Sequence, residues 1–462
     1  MSDVVRNIFS PLGQLWAASG AQMSDWLLKE HHRFSITGLS RSGKSVLFTS
    51  LMTVLRYRCE EGYQSLPLLR YLPMELVESM RIDPLEGMSE FPLHAHLNAL
   101  EQGDWPAPTE SLYGFRLTVR LKEPGSFKKW FLPHRDIVFE FIDYPGEWVT
   151  DLPMLSKPFT QWSDSAWAQQ SSEPQSLYSS HWHQVVREFD FDQPVTPDAI
   201  NVLVNAYRRY LQTAKKNGIA MLQPGSFLIS GSNFDWEKYG FTPLPSKVTS
   251  DVTHPWYQTF EKHYRHFCDN WLTPLREKTF KETDRQVILV DLFEGLNHSK
   301  QHLYQLKETL SHLAEVFAYG ESSWWSKTLM NKERIGRVAF VGTKADLVPA
   351  TEKPALLALL REITGGATAR LKDKPVQFDH FLVSAIQATD KGKTENSLRY
   401  TDKEGQYHEA EFEPLPESIK AMAADEHYPI LETGVPPDHL ARLLNGRGLD
   451  RLFQYLLEGT SS

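Results

Sequence analysis

The sequence predicts an α/β fold: a mostly parallel sheet covered by helices, interrupted by a large, mainly helical insertion. Three observations support this. Short apolar runs at Arg33–Thr37, Asp136–Ile142, Gln286–Val290, Arg337–Val341 and Phe381–Val383 are interspersed with amphipathic helical stretches. A Gly-rich segment, Gly38–Ser45, lies between the first of these runs and a helical pattern. Residues 151–285 instead carry helical periodicity and many aromatic side chains.

In chain order, residues 1–32 read as an N-terminal helical extension with Leu12, Trp16, Trp26 and Leu27 as packing anchors. Residues 33–150 read as the first part of the sheet domain. Within them Leu47, Leu51, Val54, Leu55 and Arg58 recur at helical spacing, with Gly62 as a stop. Residues 63–113, rich in Pro and polar groups, read as a long loop with short helices. Gly114–Leu121 alternates as a half-exposed edge strand should, and it pairs antiparallel with the more apolar Asp136–Ile142. The insertion, 151–285, offers two long helices. One covers Ala199–Gly218; the other carries Tyr257, Phe260, Tyr264, Phe267 and Trp271 as a stripe that reads as packing. Residues 286–462 resume the alternation: strand 286–290, a helix through Leu303–Val316, strand 337–341, helix 355–363, strand 381–383 and closing helices within 438–457. The charged stretch 394–417 reads as a solvated loop or hairpin.

Composition limits the partners. Of 462 residues, 41% are hydrophobic and 23% charged, as in soluble globular chains, and 13 Trp supply large core side chains. A net charge of -9 argues against a broad nucleic-acid surface. Cys59 and Cys268 make neither a metal spacing nor a disulfide framework. The start lacks a signal-peptide pattern and no apolar stretch is long enough to span a bilayer, so the expectation is a cytoplasmic chain.

The chemistry concentrates in Gly38-Leu-Ser-Arg-Ser-Gly-Lys-Ser45, a full G-x-x-x-x-G-K-[ST] phosphate-binding loop. Gly38 and Gly43 let the backbone approach a phosphate, and the amides of Ser40, Arg41, Ser42, Gly43, Lys44, Ser45 and Val46 face it. Lys44 brings a cation to the β- and γ-phosphates, the Ser45 hydroxyl is a Mg²⁺ ligand, and the helix N-terminus adds positive field.

Further motifs follow in order. Asp143-Tyr-Pro-Gly146 ends an apolar strand, where Asp143 suits a Mg²⁺-bound water and the Gly146 amide suits the γ-phosphate. Asp402–Gly405 matches the same string but follows no apolar strand. Thr343-Lys-Ala-Asp346 ends another strand. Its Asp346 carboxylate suits the N1–H and N2–H₂ edge of guanine, which adenine lacks, and the Lys344 stem suits the base plane. Ser384-Ala385-Ile386 offers backbone N–H to guanine O6, and Thr109, after Pro108, stands where a switch threonine reaches Mg²⁺ and γ-phosphate. His31-His32 and His181-Trp-His183 bring no supporting metal-ligand cluster and read as ordinary histidines; Asp291 is a second acidic strand-end residue.

These motifs resemble the translation-factor-related P-loop GTPases and, more narrowly, the YcjX-like family of bacterial stress-associated GTPases. The resemblance rests on Gly38–Ser45, Trp105–Thr109, Asp143–Gly146, Thr343–Asp346 and Ser384–Ile386, and extends along most of the chain. It implies a P-loop G domain, GTP or GDP with Mg²⁺, and a bacterial cytoplasmic protein tied to stress. It also implies a protein effector or activator, a membrane protein encoded nearby being one such partner. The chain departs from the common pattern in two places. Glu147 follows D-x-x-G where many small GTPases carry the water-orienting Gln, and Arg41 sits inside the phosphate loop. Glu147 reads either as a water-positioning group or as a switch residue without that role. Arg41 reads as an internal arginine finger or as a solvent- or partner-facing side chain. An ATPase or kinase, and a non-hydrolysing nucleotide-binding scaffold, stay open as rival readings.

Overall fold

The structure is a computed structural model that describes residues 31–39, 41–61, 77–109, 111–122, 134–229, 236–280, 283–317, 335–374, 376–423, 426–428 and 430–457. Almost all of the expected N-terminal extension, together with Ser40 and Gly62, lies outside these residues.

The strands are β1 (His31–Gly38), β2 (Val77–Pro84), β3 (Tyr113–Lys122), β4 (His134–Asp143), β5 (Arg285–Val290), β6 (Arg337–Gly342) and β7 (Gln377–Leu382). They form one 7-stranded sheet in the order β2-β3-β4-β1-β5-β6-β7. β1 pairs in parallel with β4 and β5, and the parallel ladder continues through β6 to β7. β3 runs antiparallel to both β2 and β4. The five parallel strands therefore end on one side, at Gly38, Asp143, Val290, Gly342 and Leu382, and the motifs at Gly38, Asp143, Thr343 and Ser384 begin there, whereas Thr109 lies in the segment before β3. Ligands of open α/β sheets bind at this carboxyl edge.

Two sequence expectations are corrected. Residues 63–113 are not only loop and helix, because β2 lies within them, followed by α2 (Leu93–Glu101). β2 is polar and mostly exposed, as sheet edges are, and so carries little apolar signal. Gly114–Leu121 is consequently not an edge strand: β2 covers that side, and Phe115, Leu117 and Val119 are buried.

α1 (Lys44–Glu61) and the closing helix α12 (Leu449–Leu457) cover one face of the sheet, with α11 (His439–Leu444) against α1. Leu47, Phe48, Leu51 and Leu55 of α1 and Phe453 of α12 pack with Phe34, Phe115 and Phe141. Phe34 and Phe141 stack at 4.9 Å between ring centroids, and Phe115 stacks on Phe141 at 4.8 Å. The other face is covered by α7 (Leu292–His298), α8 (Lys300–Phe317), α9 (Lys353–Ile363) and α10 (Gly365–Leu371), whose leucines pack on Ile288, Val290, Val338 and Phe340.

Between β4 and β5 the chain builds a third core from α3 (Phe159–Gln170), α4 (Ser176–Glu188), α5 (Pro197–Lys216) and α6 (Pro255–Phe267). Thr196 caps α5, accepting the Ala199 amide hydrogen, and Pro197 follows at the first helical position. The aromatic stripe faces inward: Phe260, Tyr264 and Phe267 are buried with Trp162, Trp182 and Trp256. Of the two forms expected for stretch 394–417, the structure has the hairpin. It supplies β9 (Ser397–Thr401) and β10 (Tyr407–Glu411), which join β8 (Thr389–Lys391) in a small antiparallel sheet.

One buried charge locks the central strands. Register sets Arg33 of β1 and Arg116 of β3 opposite Glu140 of β4. Arg33 Nη2 lies 2.7 Å and Arg116 Nη2 2.6 Å from its carboxylate, and His31 Nε2 lies 3.1 Å away. Burial pushes this carboxyl upward, but the hydrogen bonds from His31, Arg116 and Arg33 outweigh it and hold the group at about 2. A lowered folded-state value contributes stability above the unfolded value of 4.5 that is lost as pH falls through about 2. Glu140→Gln is expected to cost about 3 kcal/mol at neutral pH and to flatten the acid limb of stability, as read by denaturant titrations across pH.

Candidate functional site

The loops at the sheet's carboxyl edge surround a cavity of 630 Å³. Its wall includes Arg41–Val46, Thr109, Gly146, Glu147, Lys344, Asp346, Ala385 and Ile386. Gly38 lies beneath the loop: a Cβ there would stand 2.3 Å from Ser42 Oγ and 2.8 Å from Leu289 Cβ, so only glycine fits. Gly43 takes φ 75. Arg41 and Lys344, with φ 62 and 58, are the only described non-glycine residues with positive φ, and both line the cavity. Such backbone strain persists where the surrounding fold holds it.

At the phosphate loop four side chains converge. Lys44 Nζ lies 2.9 Å from Asp143 Oδ1, and both side chains are buried. Thr109 Oγ1 donates to Asp143 Oδ2 at 2.9 Å and lies 3.1 Å from Ser45 Oγ. Asp143 does not itself line the cavity wall. Burial pushes its carboxyl up, and the Lys44 ammonium and Thr109 hydroxyl pull it back toward the charged form. Ser45, Thr109 and Asp143 are the three metal ligands predicted from sequence. Their oxygens are hard donors of the kind Mg²⁺ prefers, and a single carboxylate leaves room for phosphate oxygens and water. The residues therefore fit such an ion.

Asp346 is held from two sides. Its Oδ2 accepts the Ala388 amide hydrogen at 2.8 Å, and its backbone oxygen accepts from Thr389 Oγ1 at 2.5 Å. Burial raises its pKa, opposed by the Ala388 amide and the Ser384 hydroxyl. A carboxylate has about four acceptor positions, so the group keeps capacity for a ligand. Ser384 lies back from the cavity: its amide donates to Arg447 O at 3.0 Å, anchoring the loop and leaving Ala385 and Ile386 on the wall. Sequence reasoning assigned Asp291 no firm role. Its Oδ1 caps α7 through the Phe293 amide at 3.0 Å, and its Oδ2 holds Lys344 Nζ at 2.6 Å.

Both departures from the common pattern are engaged. Arg41 Nη1 is 3.4 Å from Glu294 Oε1, with its side chain 57% exposed. The Glu147 carboxylate pairs with Lys215 at the end of α5. Beside it, Lys216, Glu294, Asn297 and His298 join the wall, with Trp105, Lys403 and residues 430–433 elsewhere on it. Lys216, Glu294, Asn297, His298 and residues 430–433 were missed in the sequence because they come from separate elements and match no motif. His31 and His32 instead approach Glu140 and Asp284, at 3.1 and 3.5 Å, and His183 approaches Gln170.

A model of the YcjX-like family, DUF463, matches residues 32–459. The chain belongs to the YcjX-like family. Among relatives of the family, a protein of Escherichia coli (strain K12) named Ras-like GTPase YcjX is 27% identical over 374 residues, covering 78% of this chain and 79% of that one. A Shewanella oneidensis protein of the same name is 24% identical over 380 residues, covering 78% of each. Within this YcjX-like chain no described helix is long and apolar enough to cross a membrane.

The turn after Asp143 is clamped by residues 222–226, which follow α5. Asp151 accepts the Gly225 and Ser226 amide hydrogens at 2.6 and 2.8 Å, and Thr150 Oγ1 donates to Leu222 O at 3.2 Å. A Cβ on Gly225 would stand 2.3 Å from Glu147 O. Gly225→Ala is expected to cost about 1–3 kcal/mol. Gly365→Ala, where a Cβ meets nothing within 4 Å, should be neutral or stabilising. Thermal unfolding of the two variants checks the contrast.

Proposed function

We propose that the chain is a GTPase that binds GTP with Mg²⁺, hydrolyses it to GDP and phosphate, and serves as a nucleotide-dependent switch in bacterial stress physiology. The carrying observation is that one cavity is lined by the Arg41–Val46 loop, Thr109 and Gly146 together with Lys344, Asp346, Ala385 and Ile386. The first group is suited to a triphosphate and the second to guanine. The relatives' shared name, Ras-like GTPase, supports the same reading. The stress role and a protein effector rest on the family resemblance alone.

In this reading the phosphate-loop amides and Lys44 neutralise charge on the β- and γ-phosphates. Ser45, Thr109 and Asp143 would hold Mg²⁺, which would supply positive charge against the phosphates. Water attacks in line: its oxygen bonds to the γ-phosphorus while the bond to the bridging oxygen breaks, and that electron pair leaves with GDP. Both water protons depart on the phosphate. Thr109 and the Gly146 amide tie two loops to the γ-phosphate, so its loss releases them. Asp346 accepts the N1–H and N2–H₂ hydrogens of guanine.

Single-turnover phosphate release from GTP tests hydrolysis. The intact chain is expected to exceed Lys44→Ala by at least about 100-fold; equal release would leave a nucleotide-binding scaffold. Asp346→Asn should weaken GDP binding by about 10–100-fold and strengthen binding of xanthosine diphosphate, whose C2 oxygen accepts a hydrogen from the new amide. Unchanged GDP affinity would remove Asp346 from base recognition.

A further inference from the structure

Glu147 has a physical problem that the sequence exposes and the fold answers. It follows the D-x-x-G turn and lines the cavity beside the Gly146 amide. A carboxylate there repels a bound triphosphate, and a partly dry site screens that repulsion less than water does. Yet its side chain is only 13% exposed, so it cannot escape to water. A cation comes from outside the sheet domain. Lys215, in the last turn of α5, reaches across to Glu147, and its own side chain is 23% exposed. Lys215 does not line the cavity, whereas Glu147 and Lys216 do. Lys215 thus pairs with Glu147 from outside the cavity lining.

The surroundings hold this arrangement. His302 Nε2 contacts Asn217 O at 3.1 Å, fixing the end of α5 against α8. Residues 222–226 clamp the Glu147 turn through Thr150 and Asp151. Arg41 and Glu294 supply one further charge of each sign close to Lys215. Burial lowers the Lys215 pKa, and Glu147 and Glu294 oppose that shift.

We propose that Lys215 is a positioning residue for hydrolysis: from the helical insertion it cancels the charge of Glu147 and aims that carboxylate at the attacking water. Glu147 accepts a hydrogen bond from this water and takes no proton; bond making and breaking at phosphorus are as given above. This inference rests on the GTPase reading. It makes the insertion part of the hydrolytic apparatus, because Lys215 reaches Glu147 only while α5 is docked.

The test is a double-mutant cycle between Lys215→Met and Glu147→Gln, read by single-turnover GTP hydrolysis and by GDP affinity. Lys215→Met should slow hydrolysis by at least about 10-fold while GDP affinity stays within about 3-fold. In the Glu147→Gln background, which has no charge to cancel, the same change should alter the rate by less than about 3-fold. Lys215→Arg should restore most of the rate. Because Lys215→Met removes the cation beside Glu147 in a partly buried place, Lys215→Gln serves as the second variant: it keeps a donor without the charge and should also be slow. Wild-type rates in both neutral variants, or equal losses with and without Glu147, would overturn the inference while leaving the GTPase reading intact. Hydrolysis by the intact chain no faster than by Lys44→Ala would overturn both.

Discussion

The buried contact between the Lys44 ammonium and the Asp143 carboxylate, at 2.9 Å, organises the candidate site. It joins the start of α1 to the end of β4, two segments a hundred residues apart in the chain. The sheet makes the contact, because β1 and β4 pair in parallel and finish side by side. Neither charge is tolerable alone at that depth, since an unpaired buried ion costs several kcal/mol. Thr109 completes the group by donating to the same carboxylate. A phosphate and its metal ion would enter a site whose charges are already assembled.

The second organising constraint joins this site to the helical insertion. Segment 147–151 is gripped through backbone and side-chain contacts to residues 215 and 222–226. On the proposed reading, a turn at Gly146 that responds to a γ-phosphate would move together with what grips it, a bundle with a core of its own built around Trp162, Trp182 and Trp256.

Much of this was legible in the sequence, and the exceptions have physical causes. The phosphate loop could be read because its chemistry needs consecutive residues. Asp143, Thr343–Asp346 and Ser384–Ile386 could be read because each follows an apolar strand. β2 was missed because it is polar, and that in turn made β3 look like an edge. Asp291 was ambiguous because its work, holding Lys344 and capping α7, depends on a fold that sets β5 beside β6. Lys215 left no linear trace: a lysine in the last turn of a helix is ordinary C-terminal chemistry, and only packing reveals that it faces Glu147.

Equilibrium titration of the purified chain with GDP, GTP and ATP, each with and without Mg²⁺, tests the account most directly. It predicts tight binding of both guanine nucleotides, ATP weaker by at least about 100-fold, and Mg²⁺ tightening the triphosphate. Equal affinity for ATP, or none for any guanine nucleotide by the folded chain, would contradict it.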